Sequence, residues 1–350
     1  MADSVTVQDV LQARKVIRPY LRPTPLLSYP LLDQEAGARV FVKHENHSPI
    51  GSFKARGSLA ALSAHTGERR VVACSTGNHG MGVAYAARLL GLEATVVVPE
   101  WANREKTSAI AALGGRVVFS GRSIAESQER TRALVREQGA YFADDGGDRL
   151  ITAGAGTVAL EILEEVPDLD VLIIPLGDGA LAGGCGVVVK ALAPRTRTLG
   201  VQAEACPAMF RSWQRGEVVR VEGETLADGL AVVEPHAGAV RLLRKVLDDA
   251  MLVSDQELIH AIRALLRYTH NLAEGAGAAA LAAAFKAREA LAGRKVAVIL
   301  SGGNLDTRLL PSVLHDGDLP TSGERKGASR GRMKRRTPDV KARRGRTMAR

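Results

Sequence analysis

Cysteine is scarce in this chain: three residues in 350, Cys74, Cys185 and Cys206, with no paired spacing. That excludes a disulfide framework and a cysteine-built zinc site, and leaves three small, reduced, mostly buried side chains. Long apolar runs are absent too. Lys, Arg, Glu or Gly interrupts every candidate before the roughly 20 residues that a membrane span needs. Residues 1–20 lack the charged-then-apolar layout of a secretory signal, so the expectation is a cytoplasmic protein with no membrane partner. A charge surplus spread over the whole chain is also missing. The net charge is +9, but residues 324–350 hold twelve Lys and Arg against Glu324 and Asp339, a local +10 that leaves the body at −1. Any polyanion contact is therefore confined to the basic tail, 325–350. Residues 317–350 contain no Phe, Tyr or Trp, so such a contact would be electrostatic, without base stacking.

Length and a hydrophobic fraction of 46% suit one large globular domain or two ordinary ones. Apolar, β-branched runs predict strands over 39–43, 70–74, 94–98, 116–119, 171–176, 198–203 and 295–300. Helical patterns fall between them, over 52–64, 78–90, 104–113, 124–138, 157–165, 184–192, 255–269 and 275–291. This alternation predicts an α/β fold of open, doubly wound, mostly parallel sheets. After about residue 316, Gly, Ser, Pro, Lys and Arg dominate. That composition cannot bury enough apolar surface to offset ordering entropy, so disorder is expected there.

Four strings carry chemistry. In Ser48-Pro49-Ile50-Gly51-Ser52-Phe53-Lys54-Ala55-Arg56-Gly57, a lysine stands between an aromatic and small residues at a helix start. Such a partly apolar niche lets an amine lose its proton and form a Schiff base, although a lone helix-start lysine is ordinarily just solvated. Ser75-Thr76-Gly77-Asn78-His79-Gly80 follows a strand and opens a helix, where free N–H groups and short polar side chains cap the helix or cradle a carboxylate. Gly177-Asp178-Gly179-Ala180-Leu181 is a second strand–turn–helix unit. It suits a phosphate, or a plain crossover, or a dinucleotide fingerprint through Gly177, Gly179 and Ala182, with Glu204 closing the next strand. Ser301-Gly302-Gly303-Asn304 ends an apolar strand and would otherwise be a polar turn.

Taken together with Lys43-x-Glu45-Asn46, these strings lie across residues 43–304 in an order that resembles the serine/threonine dehydratase family, which includes serine racemase-like enzymes. The resemblance implies fold type II of the pyridoxal-phosphate (PLP) enzymes, with the cofactor in a cleft between two domains. A small domain, 67–146, would be inserted into a large one, 1–66 and 147–316, with 317–350 as a tail. It implies that Lys54, beside Phe53, carries the cofactor and acts as the catalytic base. It further implies that Asn78 bonds the phenolic oxygen, Gly177 to Leu181 bind the phosphate, and Ser301 bonds the pyridine nitrogen. Ser75, Thr76, Gly77 and His79 would form the substrate loop, His79 more as a structural member than a proton carrier. The segments 225–230 and 274–278 would line the cleft. A neutral serine at the ring nitrogen favours expulsion of a β-leaving group over a long-lived carbanion. The implied reaction is β-elimination from L-threonine or L-serine to a 2-oxo acid and ammonia, with a homodimer or other homo-oligomer as the assembly. A racemase on the same scaffold remains the alternative, with Thr76 where a second proton carrier would stand, and a nicotinamide oxidoreductase the distant one. The phosphate loop departs from the family's glycine run at Asp178 and Ala180. No metal site is expected, because Ala208, Met209 and Phe210 occupy the region where a second acid beside Glu204 would be needed. Nothing after residue 316 has the pattern of a folded regulatory domain, so no feedback inhibition through one is expected.

Overall fold

The computed structural model describes residues 4–65 and 67–314; the basic tail and its expected disorder lie outside the described residues. Its strands are β1 (Leu26–Ser28), β2 (Arg39–His44), β3 (Arg70–Cys74), β4 (Glu93–Val98), β5 (Arg116–Phe119), β6 (Tyr141–Phe142), β7 (Val171–Pro175), β8 (Arg197–Ala203), β9 (Asp249–Val253) and β10 (Lys295–Leu300). They form a six-stranded sheet in the order β1-β2-β10-β7-β8-β9 and a four-stranded sheet in the order β5-β4-β3-β6. Among the described residues only β1 runs antiparallel to its neighbour. The larger sheet takes strands from both ends of the chain, and the smaller one is built wholly from residues 70–142. Two mostly parallel sheets in an α/β architecture are what the alternation predicted.

Strand β7 is buried at all five positions, as expected of a central parallel strand covered on both faces. One cover is the alanine-rich helix Gly275–Lys286, of which ten consecutive residues are buried. The other face is covered by helices that meet almost backbone to backbone. A Cβ on Gly184 would lie 2.2 Å from Thr152 O and 2.6 Å from Gly156 N, so the helices Arg149–Glu165 and Ala180–Leu192 pack at a distance only glycine permits.

Several predicted boundaries move. The helix expected over 157–165 starts at Arg149, with Asp148 capping the N–H groups of Leu150 and Ile151. That over 184–192 starts at Ala180. In both, glycines lower helix propensity locally, but packing overrides them. The helix expected over 52–64 begins only at Lys54, because Ser52 pairs as a β-bridge with Gly302. The pattern over 255–269 ends as α-helix at Ala264 and closes in a π turn, Leu265–Thr269. That over 275–291 breaks at Ala287. Strands β1, β6 and β9 are not among those the pattern predicts; β1 and β6 have only three and two residues, too few to show a period. All three cysteines are free, Cys185 and Cys206 buried and Cys74 partly so. Among the described residues no helix is long and apolar enough to cross a membrane.

Candidate active site

The segment before Lys54 is pinned on both sides. Ser48 Oγ donates to Ser52 O (2.5 Å) and accepts from Ser52 N (3.0 Å), while Phe53 N donates to Ser301 O (3.0 Å). Two residues further on, Arg56 is buried and inserts its guanidinium between two carboxylates. Nε and Nη2 donate to Glu45 (2.8 Å each), and Nη1 and Nη2 donate to Glu161 (2.6 and 2.8 Å). Lys43, fully buried, completes the set by bonding Glu161 Oε2 and Thr24 O, each at 2.6 Å. Two cations thus balance two anions in the core. The Lys43, Glu45 and Arg56 of the motif are therefore the clamp that fixes the helix carrying Lys54, and they do not face the cleft. Burial alone would lower the Arg56 pKa, but Glu45 and then Glu161 hold it above its ordinary value.

Lys54 Nζ lies 5.0 Å from the centre of the Phe53 ring and is ion-paired with Asp145. The other oxygen of Asp145 stands 4.0 Å from His79 Nδ1 and has no hydrogen-bond partner among the described residues. His79 is only 4% exposed, and its Nε2 donates to the Ala143 carbonyl (2.9 Å), which can only accept. Substrate contact is not what this ring is placed for; it braces the end of β6 against the helix Asn78–Leu90. Burial would raise the Asp145 carboxyl, but Lys54 and then His79 hold it below the usual carboxylate range. Asp145 escaped the sequence reading. The signal was Asp144-Asp145-Gly146-Gly147, paired acids and glycines directly after a strand too short to recognise.

The glycine loop after β7 comes next to this acid. A Cβ on Gly146 would lie 2.7 Å from both Asp178 Cβ and Asp178 O, so the two loops touch through glycine. Burial, followed by the charge of Asp145, pushes the Asp178 carboxyl up to about 7. Gly179 has φ +94°, and a Cβ on Gly177 would stand 2.4 Å from Gly229 O, so both glycines are required where they are. The first N–H to bond back along the following helix is that of Gly183, to Gly179 O (2.8 Å). The N–H groups before it are free for an anion.

On the opposite wall, Asn78 Nδ2 donates to Glu274 Oε1 (2.5 Å), and Asn78 Oδ1 accepts from Asn304 Nδ2 (2.8 Å). Burial and then Asp228 raise the Glu274 carboxyl to about 7, and its second oxygen has no hydrogen-bond partner among the described residues. Ser301 is buried, with only a long 3.4 Å bond from Oγ to Ala276 O. Ser75 Oγ accepts from Gly77 N (3.2 Å) at the start of the helix that begins with Asn78. The four strings are thus joined in one ring: 53 to 301, 54 through 145 and 146 to 178, 177 to 229, 229 to 276, and 78 to 274 and 304. Thr225 of the 225–230 segment bonds Asp255 (2.5 Å), fixing the turn that brings Gly229 under Gly177.

This ring suits pyridoxal phosphate. Lys54 supplies the amine, the free N–H groups before Gly183 suit a phosphate, and Ser301 presents a neutral hydroxyl with unused hydrogen-bonding capacity. A carboxyl near the phosphate loop would oppose the anion if ionised, but the raised Asp178 reduces that conflict where it holds its proton. Glu204, just past β8, is exposed, with its N–H bonded to Val253 O (2.8 Å).

A profile of the family described as pyridoxal-phosphate dependent enzyme matches residues 17–302. The chain is similar to an L-threonine ammonia-lyase of Thermotoga maritima, 37% identical over 325 residues, covering 92% of this chain and 80% of the relative. Among solved structures it resembles the T.th. threonine deaminase, with a TM-score of 0.83 and 37% identity over 86% of this chain and 99% of that one. It also resembles maize serine racemase, with a TM-score of 0.84 and 29% identity over 88% and 96% of the two chains. The chain belongs to the pyridoxal-phosphate-dependent enzyme family, and pyridoxal phosphate is its cofactor. The dinucleotide alternative for the Gly177 loop falls with that assignment.

Proposed function

We propose that this enzyme is an ammonia-lyase that eliminates water from L-threonine, with L-serine as the smaller substrate, and releases a 2-oxo acid and ammonia. The observation that carries the reading is the Lys54 amine, held in a cleft between two helix starts with the neutral Ser301 hydroxyl on its own segment's hydrogen-bonded neighbour. The relatives named for threonine deamination support the same substrate class. When bound, pyridoxal phosphate supplies the electron sink that makes the substrate Cα–H acidic. The chain's own residues do the rest. N–H groups at the start of the helix Asn78–Leu90, with Ser75, hold the substrate carboxylate. Lys54 takes the Cα proton. Asn78, locked by Glu274 and Asn304, would orient the cofactor ring, and the neutral Ser301 hydroxyl would meet its nitrogen without protonating it. The test is a panel of hydroxy amino acids scored for 2-oxo acid, ammonia and inversion. Threonine giving equimolar oxo acid and ammonia, without D-product, is the expected result; inversion without ammonia would replace this reading with a racemase.

Two coarser features accompany it. The confinement of the smaller sheet to residues 70–142 supports a small domain over 67–146 set into a larger one, with the ring of site residues at their junction. The local +10 of residues 324–350 supports polyanion contact by the tail, whose affinity should fall steeply with salt. A homo-oligomer is expected, to be read from the sedimentation of the loaded enzyme.

A further inference from the structure

Lys106 is unassigned by any sequence motif, yet it reaches the substrate loop. Asn103 fixes the start of its helix, accepting from the N–H groups of Glu105 (2.7 Å) and Lys106 (3.4 Å) and donating to Asp306 (3.0 Å). A Cβ built on Gly77 would lie 3.5 Å from Lys106 Cδ and 3.6 Å from its Nζ, so the amine sits one methyl's reach from the loop that opens the helix Asn78–Leu90. Its side chain is 11% exposed, and it is ion-paired with Asp228, which is 54% exposed. The asymmetry matters. The cation is fixed and desolvated, whereas its partner can swing into water at little cost. The other acids facing Lys106 each hold another partner through at least one oxygen. Asp306 is bound by Arg308 (2.5 Å), and Glu274 holds Asn78.

We infer that Lys106 is a specificity-determining residue that binds the substrate's α-carboxylate together with the N–H groups of the Gly77 loop, and that Asp228 is the resting counter-ion the carboxylate displaces. The inference rests on the lyase reading for the identity of the substrate. A single charge-assisted contact of this kind changes affinity by about ten- to hundredfold. It also sets the cleft against amino acids whose carboxyl is blocked.

The test compares binding of L-threonine and L-threonine amide to the cofactor-loaded enzyme, read by the change in visible absorption. Wild type should prefer the acid. Lys106→Met should weaken the acid by about ten- to hundredfold, leave the amide unchanged, and raise KM far more than it lowers kcat. Asp228→Asn should tighten the acid and leave the amide unchanged. An acid-to-amide ratio in Lys106→Met equal to that of wild type would overturn the assignment. Should Lys106→Met fail to fold, Asp228→Asn decides alone: tighter acid binding supports the assignment, and unchanged or weaker acid binding overturns it. Because the readout is binding, a wild type that binds threonine without releasing ammonia would sink the lyase reading and still test Lys106.

Discussion

Replacing Arg56 by leucine strands the buried acids that hold the Lys54 helix in place. Arg56 is 2% exposed and makes four hydrogen bonds to carboxylates, besides one each to Thr157 Oγ1 (3.0 Å) and Thr24 Oγ1 (3.4 Å). Without it Glu161 keeps Lys43, but Glu45, fully buried, keeps only the hydroxyl of Thr24 (2.5 Å). Removing one partner of such a buried pair costs about 3–5 kcal/mol, most of it the uncompensated charge left behind. In urea the cofactor-loaded variant should therefore unfold at a midpoint lower by on the order of 1–2 M, with little change in slope. The pH dependence gives a second check. In the parent, burial would raise the Glu161 carboxyl, but Arg56 and then Lys43 hold it below the usual range, so its contribution is lost only as pH falls through that lowered pKa. In the variant a stranded carboxylate takes a proton more readily in the folded state than in the unfolded one, so folding gains as pH falls. The gap between parent and variant should shrink from pH 8 toward pH 5. A gap below about 1 kcal/mol, or one unchanged over that range, would refute the clamp, since a buried unpaired charge cannot be so cheap.

Asp178 should make cofactor affinity pH-dependent: its carboxyl keeps its proton below about 7 and ionises above, so affinity should fall as pH rises, and Asp178→Asn should flatten that fall in a fluorescence titration. Thr76→Ala should disturb substrate binding while wild type yields no D-amino acid; D-serine made from L-serine by wild type and lost in this variant, while dehydration persists, would favour the racemase. Ser301→Asp should protonate the ring nitrogen and move the partition from elimination toward transamination, and an unchanged product ratio would mean that Ser301 does not meet that nitrogen.

Much of this arrangement was legible because strand-to-helix turns announce themselves through glycine and short polar residues. The strands over 70–74, 116–119 and 295–300 and the helices over 78–90 and 124–138 lie where periodicity put them. Lys54, Asn78, the Gly177 loop and Ser301 stand in strings at strand or helix ends, their roles come from the resemblance to the serine/threonine dehydratase family, and the fold brings them into one ring. What stayed hidden depends on pairs distant in sequence. Asp145 meets Lys54 across 91 positions and Lys106 meets Asp228 across 122, and no local spacing encodes either. Arg56 was visible as part of a string, but its role was not, since only the fold shows it buried between Glu45 and Glu161. Asp178 stands out in the string as a departure from the glycine run, yet its neutralising environment comes from burial and from Asp145, which one string cannot show.

The most direct test of the central claim is borohydride reduction of the cofactor-loaded enzyme followed by peptide mass mapping. A pyridoxyl group on the peptide bearing Lys54, absent from Lys54→Ala together with ammonia release from threonine, is the expected result. A label on another lysine, or threonine turnover that survives in Lys54→Ala, would contradict the account.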